Sequence, residues 1–368
     1  MTPAESLARL RLARSDGVGP TTFRRLLARH GGAEVALAAL PRLAQTTGRA
    51  IDPYPSDEAR RELDALHKLG ATLLHLDTPG YPPLLALTED PPPMLAVLGD
   101  VSVLLRRGVA VVGARAASAG GQRIAEELAA GLTTAGLAVT SGLARGIDAA
   151  AHRGALNAHG RTVACVAGGL DQPYPPENIS LQTRIAAEGG AVVSEMPLGT
   201  QPLGRHFPRR NRIIAGLSLG VVVVEAAQKS GSLMTARLAL EAGREVYAVP
   251  GSPLDPRARG TNDLIRQGAH LTESAEDVID HLPPAPRDLP LFRMPVPATQ
   301  LPEPPPPHPG TSNEVFDLIG LTPVAVDDLV RRCHLPAPTV QAILLDLELS
   351  GLVEPLPGNR VARSTRAG

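Results

Sequence analysis

The sequence predicts an α/β protein built on a doubly wound parallel sheet, with a helical domain before the sheet and a winged-helix-like domain after it. Three observations carry this. Between Tyr81 and Leu282, short Val-rich runs bounded by Gly alternate with helical patterns. Residues 1–80 carry mainly helix and turn signals. Residues 283–310 hold 12 prolines, and residues 311–368 then combine three short helical patterns with a terminal strand pair.

The first domain (1–80) contains LARLRLARSDGVGPTTFRRLLARHGG, which reads as helix, Gly-rich turn, helix. Gly17-Val18-Gly19-Pro20 breaks the first helix, and Thr21 is placed to cap the second. Phe23, Leu26 and Leu27 supply its apolar face. Residues 1–50 hold eight Arg against three acids.

In the second domain (81–282) the runs are GVAVVGAR, GLAVTSG, RTVACVAGG, GAVVSE, LGVVVVEA and REVYAVPG. Each has the length and Val content of a strand buried on both faces. Helical patterns such as GQRIAEELAAGLTTAG lie between them. The segment 283–310, with PEPPPPHP, lacks the N–H groups that helix or sheet needs. It reads as a semi-rigid or disordered linker, or as a partner-docking segment.

In the last domain (311–368), SNEVFDLIG, PVAVDDLVRRC and PTVQAILLDLELSG give three helices, with Thr322-Pro323 as a helix start, and GLVEPLPGNRVAR gives a two-stranded wing. This domain carries seven acids and five bases. Its third helix bears Asp346 and Glu348, which suits protein contact or regulation better than reading a major groove.

Composition narrows the function classes. The 368 residues are 43% hydrophobic and 20% charged, with a net charge of −1, so no global attraction to nucleic acid is expected and any such binding must be local. Of 36 basic residues, all but Lys68 and Lys229 are Arg. That supplies forked phosphate donors, although codon bias gives the same excess. Cys165 and Cys333 are too few for a zinc cluster or disulfide framework, and no apolar run reaches the roughly 20 residues of a membrane span. The start, MTPAESLARLRLARSDG, lacks a secretory apolar core. No membrane partner, no metal and a cytoplasmic location are expected.

Ligands of an open parallel sheet bind beyond the carboxyl ends of its strands, so those ends are the candidate site. The first run ends in Gly113-Ala114-Arg115. Arg115 stands where a dinucleotide fingerprint needs its second glycine, so it is a phosphate donor or the partner of a nearby acid. The second run leads into Ser141, Gly142, Arg145 and Gly146, a tight turn with exposed N–H groups. Asp148 and His152 follow at i, i+4; two ligands make no metal site, and the simpler roles are an Asp tying the loop and a His packed below it.

The run Arg205-His206-Phe207-Pro208-Arg209-Arg210-Asn211-Arg212 holds four Arg and one of only four Phe in the chain. Arg can neutralise phosphates and a ring can stack on an unpaired base. The alternative is ion pairing to strand-end acids such as Glu195 and Glu225, with Phe207 in the core; a mixture is expected, with Asn211 and Arg212 structural and the earlier Arg groups facing solvent. Lys229, Ser230, Gly231 and Ser232 lead into another helix and form an anion cradle; a nucleophilic serine would need a base within reach. The inventory fits binding a polyanion, with no catalytic residue and no cofactor.

These residues together resemble the DNA-processing protein A (DprA/Smf) family. The landmarks are YPPLL, VAVVGAR, SGLARGIDAAAH, AGGLDQPYPPEN, SEMPLG, FPRRNRIIAGLS, VVVEA with SGSLMTA, and PG with GTNDLI, in uninterrupted order over about 80–280. The resemblance implies a Rossmann-like core with an N-terminal helical domain, of SAM or helix-hairpin-helix type, and a C-terminal winged-helix-like domain. It implies a protein that is not an enzyme. Such a protein binds and protects single-stranded DNA, helps load the RecA recombinase during natural transformation and recombination, and forms a homodimer through the Rossmann-like core. Carried over by motif, Arg115, Ser141, Gly142, Arg145, His206, Phe207, Arg209 and Asn211 lie at or near DNA. Two other classes remain: a nucleotide phosphoribohydrolase-like enzyme, whose PGGxGTxxE motif is interrupted by PGSPLDPRARGTNDLI, and a winged-helix regulator.

Overall fold

The computed structural model describes residues 1–47, 52–283, 311–356 and 359–364. The expected linker lies outside the described residues from 284 onward. The chain forms two compact units: Glu62–Pro295, and Met1–Arg61 together with Val296–Gly368.

The N-terminal helices are α1 (Pro3–Arg14), α2 (Pro20–His30), α3 (Ala33–Thr47) and α4 (Ser56–Lys68). Gly19 rather than Thr21 caps α2, because Pro20 takes the first helical position, where a missing N–H leaves nothing unpaired.

The central unit is a nine-stranded sheet. Its strands are β1 (Ala71–His75), β2 (Met94–Gly99), β3 (Gly108–Val112), β4 (Ala138–Ser141), β5 (Arg161–Cys165), β6 (Ala191–Ser194), β7 (Gly220–Val223), β8 (Glu245–Ala248) and β9 (His270–Leu271). The spatial order is β1-β2-β6-β5-β4-β3-β7-β8-β9. From β6 to β9 the sheet is parallel; β2 runs antiparallel to β6, and β1 antiparallel to β2. The six Val-rich runs are β3 to β8. Strand β1 falls within the stretch expected to be helical, and it extends the central sheet instead.

Alternation along β3 explains the two layers. Val109 and Val111 pack into one apolar cluster with Leu128, Leu132 and Ala151. Ala110 and Val112 pack on the opposite face with Ile213, Ile214 and Ala236. The helices involved are α6 (Ala119–Thr134) and α7 (Ile147–Asn157) on one face, and α9 (His206–Gly216) and α10 (Gly231–Glu241) on the other. The remaining helices of this unit are α5 (Pro83–Ala86), α8 (Ile179–Ala187), α11 (Arg259–Arg266) and α12 (Ala275–Asp280). The chain winds from β3 outward to β6, then returns to place β7 on the other side of β3. That reversal opens a crevice at the carboxyl ends of β3 and β7.

The C-terminal domain comprises α13 (Thr311–Asp317), β10 (Val324–Ala325), α14 (Val326–Cys333), α15 (Ala337–Leu349), β11 (Val353–Leu356) and β12 (Arg360–Arg363). Its sheet has the order β10-β12-β11, all antiparallel. The wing is formed by β11 and β12. Thr322 and Pro323 precede β10 and do not start a helix; α14 begins at Val326.

Candidate nucleic-acid interface

The loop after β4 is built by a carboxylate and an amide. Asp148 Oδ2 accepts from Gly142 N at 3.2 Å and Ala144 N at 3.4 Å. On the other side, Asn178 Nδ2 donates to Leu143 O at 2.9 Å and Ala144 O at 3.2 Å. Burial pushes the Asp148 carboxyl up, opposed by the nearby Arg210 and by the two backbone bonds. His152 is buried below this loop, as expected, with Nδ1 2.7 Å from Thr162 Oγ1. Gly146, at φ 70°, allows the loop to pass against the turn after β3; a Cβ there would lie 2.6 Å from Arg115 O.

Arg115 stands exposed at the crevice. Its guanidinium carbon lies 4.9 Å from the centroid of the Phe207 ring. Tyr174 meets the same ring edge-on at 6.2 Å. The Arg115–Phe207 pair separates two cavities. One, of about 70 Å³, is lined by Gly142, Arg145, Gly168, Tyr174 and both members of the pair. The other, of about 580 Å³, reaches Asn211, Lys229, Ser230 and Arg257. Among the described residues, Arg115, Arg205 and Lys229 form no salt bridge, although the charge of Arg115 reaches the buried Asp148. Arg145, Arg209, Arg212 and Arg257 are ion-paired. Arg145 binds Glu177 at 2.6 Å, with both side chains more than half exposed. Glu195 binds Arg209 at 3.2 Å and also pairs with Arg212.

The acids therefore divide their roles. Glu195 orients arginines, as expected. Glu225 does not: it accepts from Ser118 N at 2.9 Å and Ser118 Oγ at 2.5 Å, fixing the start of α6. Ser230 caps α10, and its hydroxyl lies 2.7 Å from that of Ser232. His206 Nδ1 lies 3.1 Å from Gln201 O. Gly113 and Gly231 lie on the rim of the larger cavity.

Five of the expected contact side chains, Ser141, His206, Arg210, Asn211 and Ser232, are buried. Ser141 is fully buried and donates to Val111 O at 2.6 Å, because it still belongs to β4. Arg210 is buried, donating to Gly142 O and to Cys165 O at 3.2 Å. Asn211 donates to Gly231 O at 3.3 Å. The phase of α9 decides this: His206, Arg210, Ile213 and Ile214 form its inward face, while Arg205 and Arg209 face solvent. The expectation that the arginines before Asn211 all face solvent fails at Arg210. The sequence did not single out Gly168, Tyr174 and Arg257 as lining residues. An aromatic within a Pro-rich strand-end loop, DQPYPPEN, was the available signal for Tyr174.

Among the described residues, no group of three or more His, Cys, Asp or Glu could hold a metal ion, and no helix is long and apolar enough to cross a membrane.

A family model described as DNA recombination-mediator protein A matches residues 72–283. The chain belongs to this DNA-processing protein A family. Models for a DprA-like N-terminal HHH domain and a DprA winged helix domain match residues 3–65 and 299–359. Protein Smf of Escherichia coli (strain K12) is 40% identical over 315 residues, covering 84% of this chain and 82% of that protein. The DNA processing protein DprA of Bacillus subtilis is 43% identical over 224 residues, covering 61% and 75%. The X-ray structure of DprA from Streptococcus pneumoniae superposes with a TM-score of 0.64 at 36% identity, covering 77% of this chain and 99% of that one. A structure of DNA processing protein A from Helicobacter pylori, described for its single-stranded DNA binding mode, gives 0.51 at 29% identity, covering 57% and 94%. The Rossmann-like core flanked by helical and winged-helix domains is thus the architecture of a DprA protein.

Proposed function

We propose that this DprA family member binds single-stranded DNA across the crevice at β3 and β7, and holds it without chemical change. The observation that carries this is the Arg115–Phe207 pair: a guanidinium that forms no salt bridge lies over an aromatic ring between two cavities. Phosphates are neutralised by Arg115, Lys229 and Arg205, with Arg145 and Arg209 available by exchange from Glu177 and Glu195. The cradle of Lys229, Ser230, Gly231 and Ser232 at the start of α10 adds backbone N–H groups. Unstacked bases lie on Phe207 and Tyr174. Ser141, Arg210 and Asn211 position the loops rather than touch DNA. Duplex is disfavoured because its bases are already stacked on one another.

The same reading assigns the protein to the cytoplasm and gives it a role in protecting the strand and helping load RecA. It acts as a homodimer through the Rossmann-like domain, which places a second crevice on the same strand and raises the local concentration of sites. The reading is one of binding rather than catalysis: the Ser230 hydroxyl caps α10 and lies against that of Ser232. The chain then divides into an N-terminal helical part, a Rossmann-like part that takes in β1, the Pro-rich segment and the winged-helix-like part.

Filter binding of an oligonucleotide and its duplex across a salt series tests it, with RecA filament assembly followed on the same samples. Tight, steeply salt-dependent binding of the single strand with weak duplex binding is expected. Equal affinity for duplex contradicts the site, and unchanged filament assembly contradicts the loading role.

A further inference from the structure

The helix α15 is the third helix of the winged-helix-like domain, the place from which a groove-reading helix projects. Here it packs against the N-terminal helices within one compact unit. Leu345 and Leu349 join the apolar cluster of Leu12, Phe23, Leu26 and Leu37. Next to that apolar contact the interface is ionic. Glu348 accepts from the Thr22 hydroxyl and from Arg25 Nη1 at 3.2 Å. Asp346 pairs with Arg29 at 3.0 Å.

Thr22, Arg25 and Arg29 stand at i, i+3 and i+7 of α2, so they share one face. A hydroxyl and two guanidiniums are donors that proteins commonly place on backbone phosphate oxygens. The surrounding module is basic, with eight Arg against three acids in residues 1–50, while the winged-helix-like domain carries seven acids and five bases. Carboxylate oxygens of α15 thus occupy positions on α2 that suit phosphate oxygens. The Arg29–Asp346 pair is the more open of the two, with side chains 40% and 36% exposed.

We propose that the Thr22–Arg25–Arg29 face of α2 is a second contact for nucleic-acid backbone, separate from the Arg115–Phe207 crevice, and that α15 masks it with Asp346 and Glu348. Single-stranded oligonucleotide binding by the full chain tests this across a salt series. In the Asp346→Asn/Glu348→Gln variant, affinity rises and the slope of log K against log salt steepens by roughly 0.7 for each phosphate newly held. Adding Arg25→Gln and Arg29→Gln abolishes the gain. The gain persists in an Arg115→Ala background, which keeps this test independent of the crevice. Wild-type affinity and slope in the folded double variant overturn the proposal, as does a gain that survives loss of both arginines. Should the double variant not fold, Asp346→Asn alone, at the exposed pair, decides by the same criteria.

Discussion

Arg115 and Phe207 arrive from different parts of the chain, one on the turn after β3 and one in the first turn of α9, and meet at 4.9 Å. The guanidinium gains the face of the ring and keeps its N–H edges free, since no carboxylate claims them. On this account Phe207→Ala weakens single-strand binding by about 1–3 kcal/mol, the range for one base–aromatic stack, and Phe207→Tyr stays near wild type. Fluorescence titration with a labelled oligonucleotide checks it. An alanine variant that binds normally takes the ring out of the site.

Arg209 differs from Arg115 because Glu195 already holds it at 3.2 Å. Any phosphate must compete with that carboxylate. Arg209→Ala therefore loses less affinity than Arg115→Ala, by about 1 kcal/mol or less. The two titrations run side by side decide the ranking, and an equal or larger loss at Arg209 reverses it.

The loop after β4 tolerates no side chain at Gly142. A Cβ there would collide with the Arg210 guanidinium and lie 2.7 Å from Asp148 Oδ2. Gly142→Ala displaces a buried arginine and lowers stability by about 1–3 kcal/mol, whereas Gly204→Ala, with nothing within 4 Å, leaves stability unchanged. Urea unfolding of both variants gives the comparison. Equal midpoints contradict the packing described.

His152 makes stability depend on pH. Thr162 Oγ1 donates to Val139 O, so it accepts from His152 Nδ1, and Nε2 is left buried with no partner. Burial holds this imidazole down to about 3, aided by the charges of Arg210 and Arg153. Its folded pKa lies below the unfolded value of 6.5, so the unfolded chain takes up the proton first as pH falls. The contribution is complete above pH 6.5 and declines from about 6.5 toward about 3, by up to about 1.4 kcal/mol per pH unit. His152→Leu removes this slope. Unfolding free energies at pH 7, 6 and 5 that run parallel in wild type and variant contradict it.

The fold was largely legible because Val-rich runs bounded by Gly, such as GVAVVGAR and LGVVVVEA, are too short and too apolar for anything but strands buried on both faces. Strands β1 and β2 were less so: ATLLH and MLAVLG lie beyond the parallel region, where no crossover helix announces them. At the site, Arg115 and Phe207 were legible from residue type at strand ends. The inward turn of Arg210 was not read from a run of four arginines, since only the phase of α9 separates it from Arg209. Glu225 was assigned to arginines and instead holds Ser118, because nothing in the sequence says which side of the crevice it faces. The docking of Glu348 on Thr22 joins residues 326 positions apart, and no local pattern signals it.

The most direct measurement is the salt dependence of single-strand affinity for wild type, Arg115→Ala, Phe207→Ala and the double variant. A slope shallower by about 0.7 is expected for Arg115→Ala, a wild-type slope with lower affinity for Phe207→Ala, and a double-variant loss that departs from the sum of the two single losses. Unchanged affinity and slope in the double variant would contradict the proposed site.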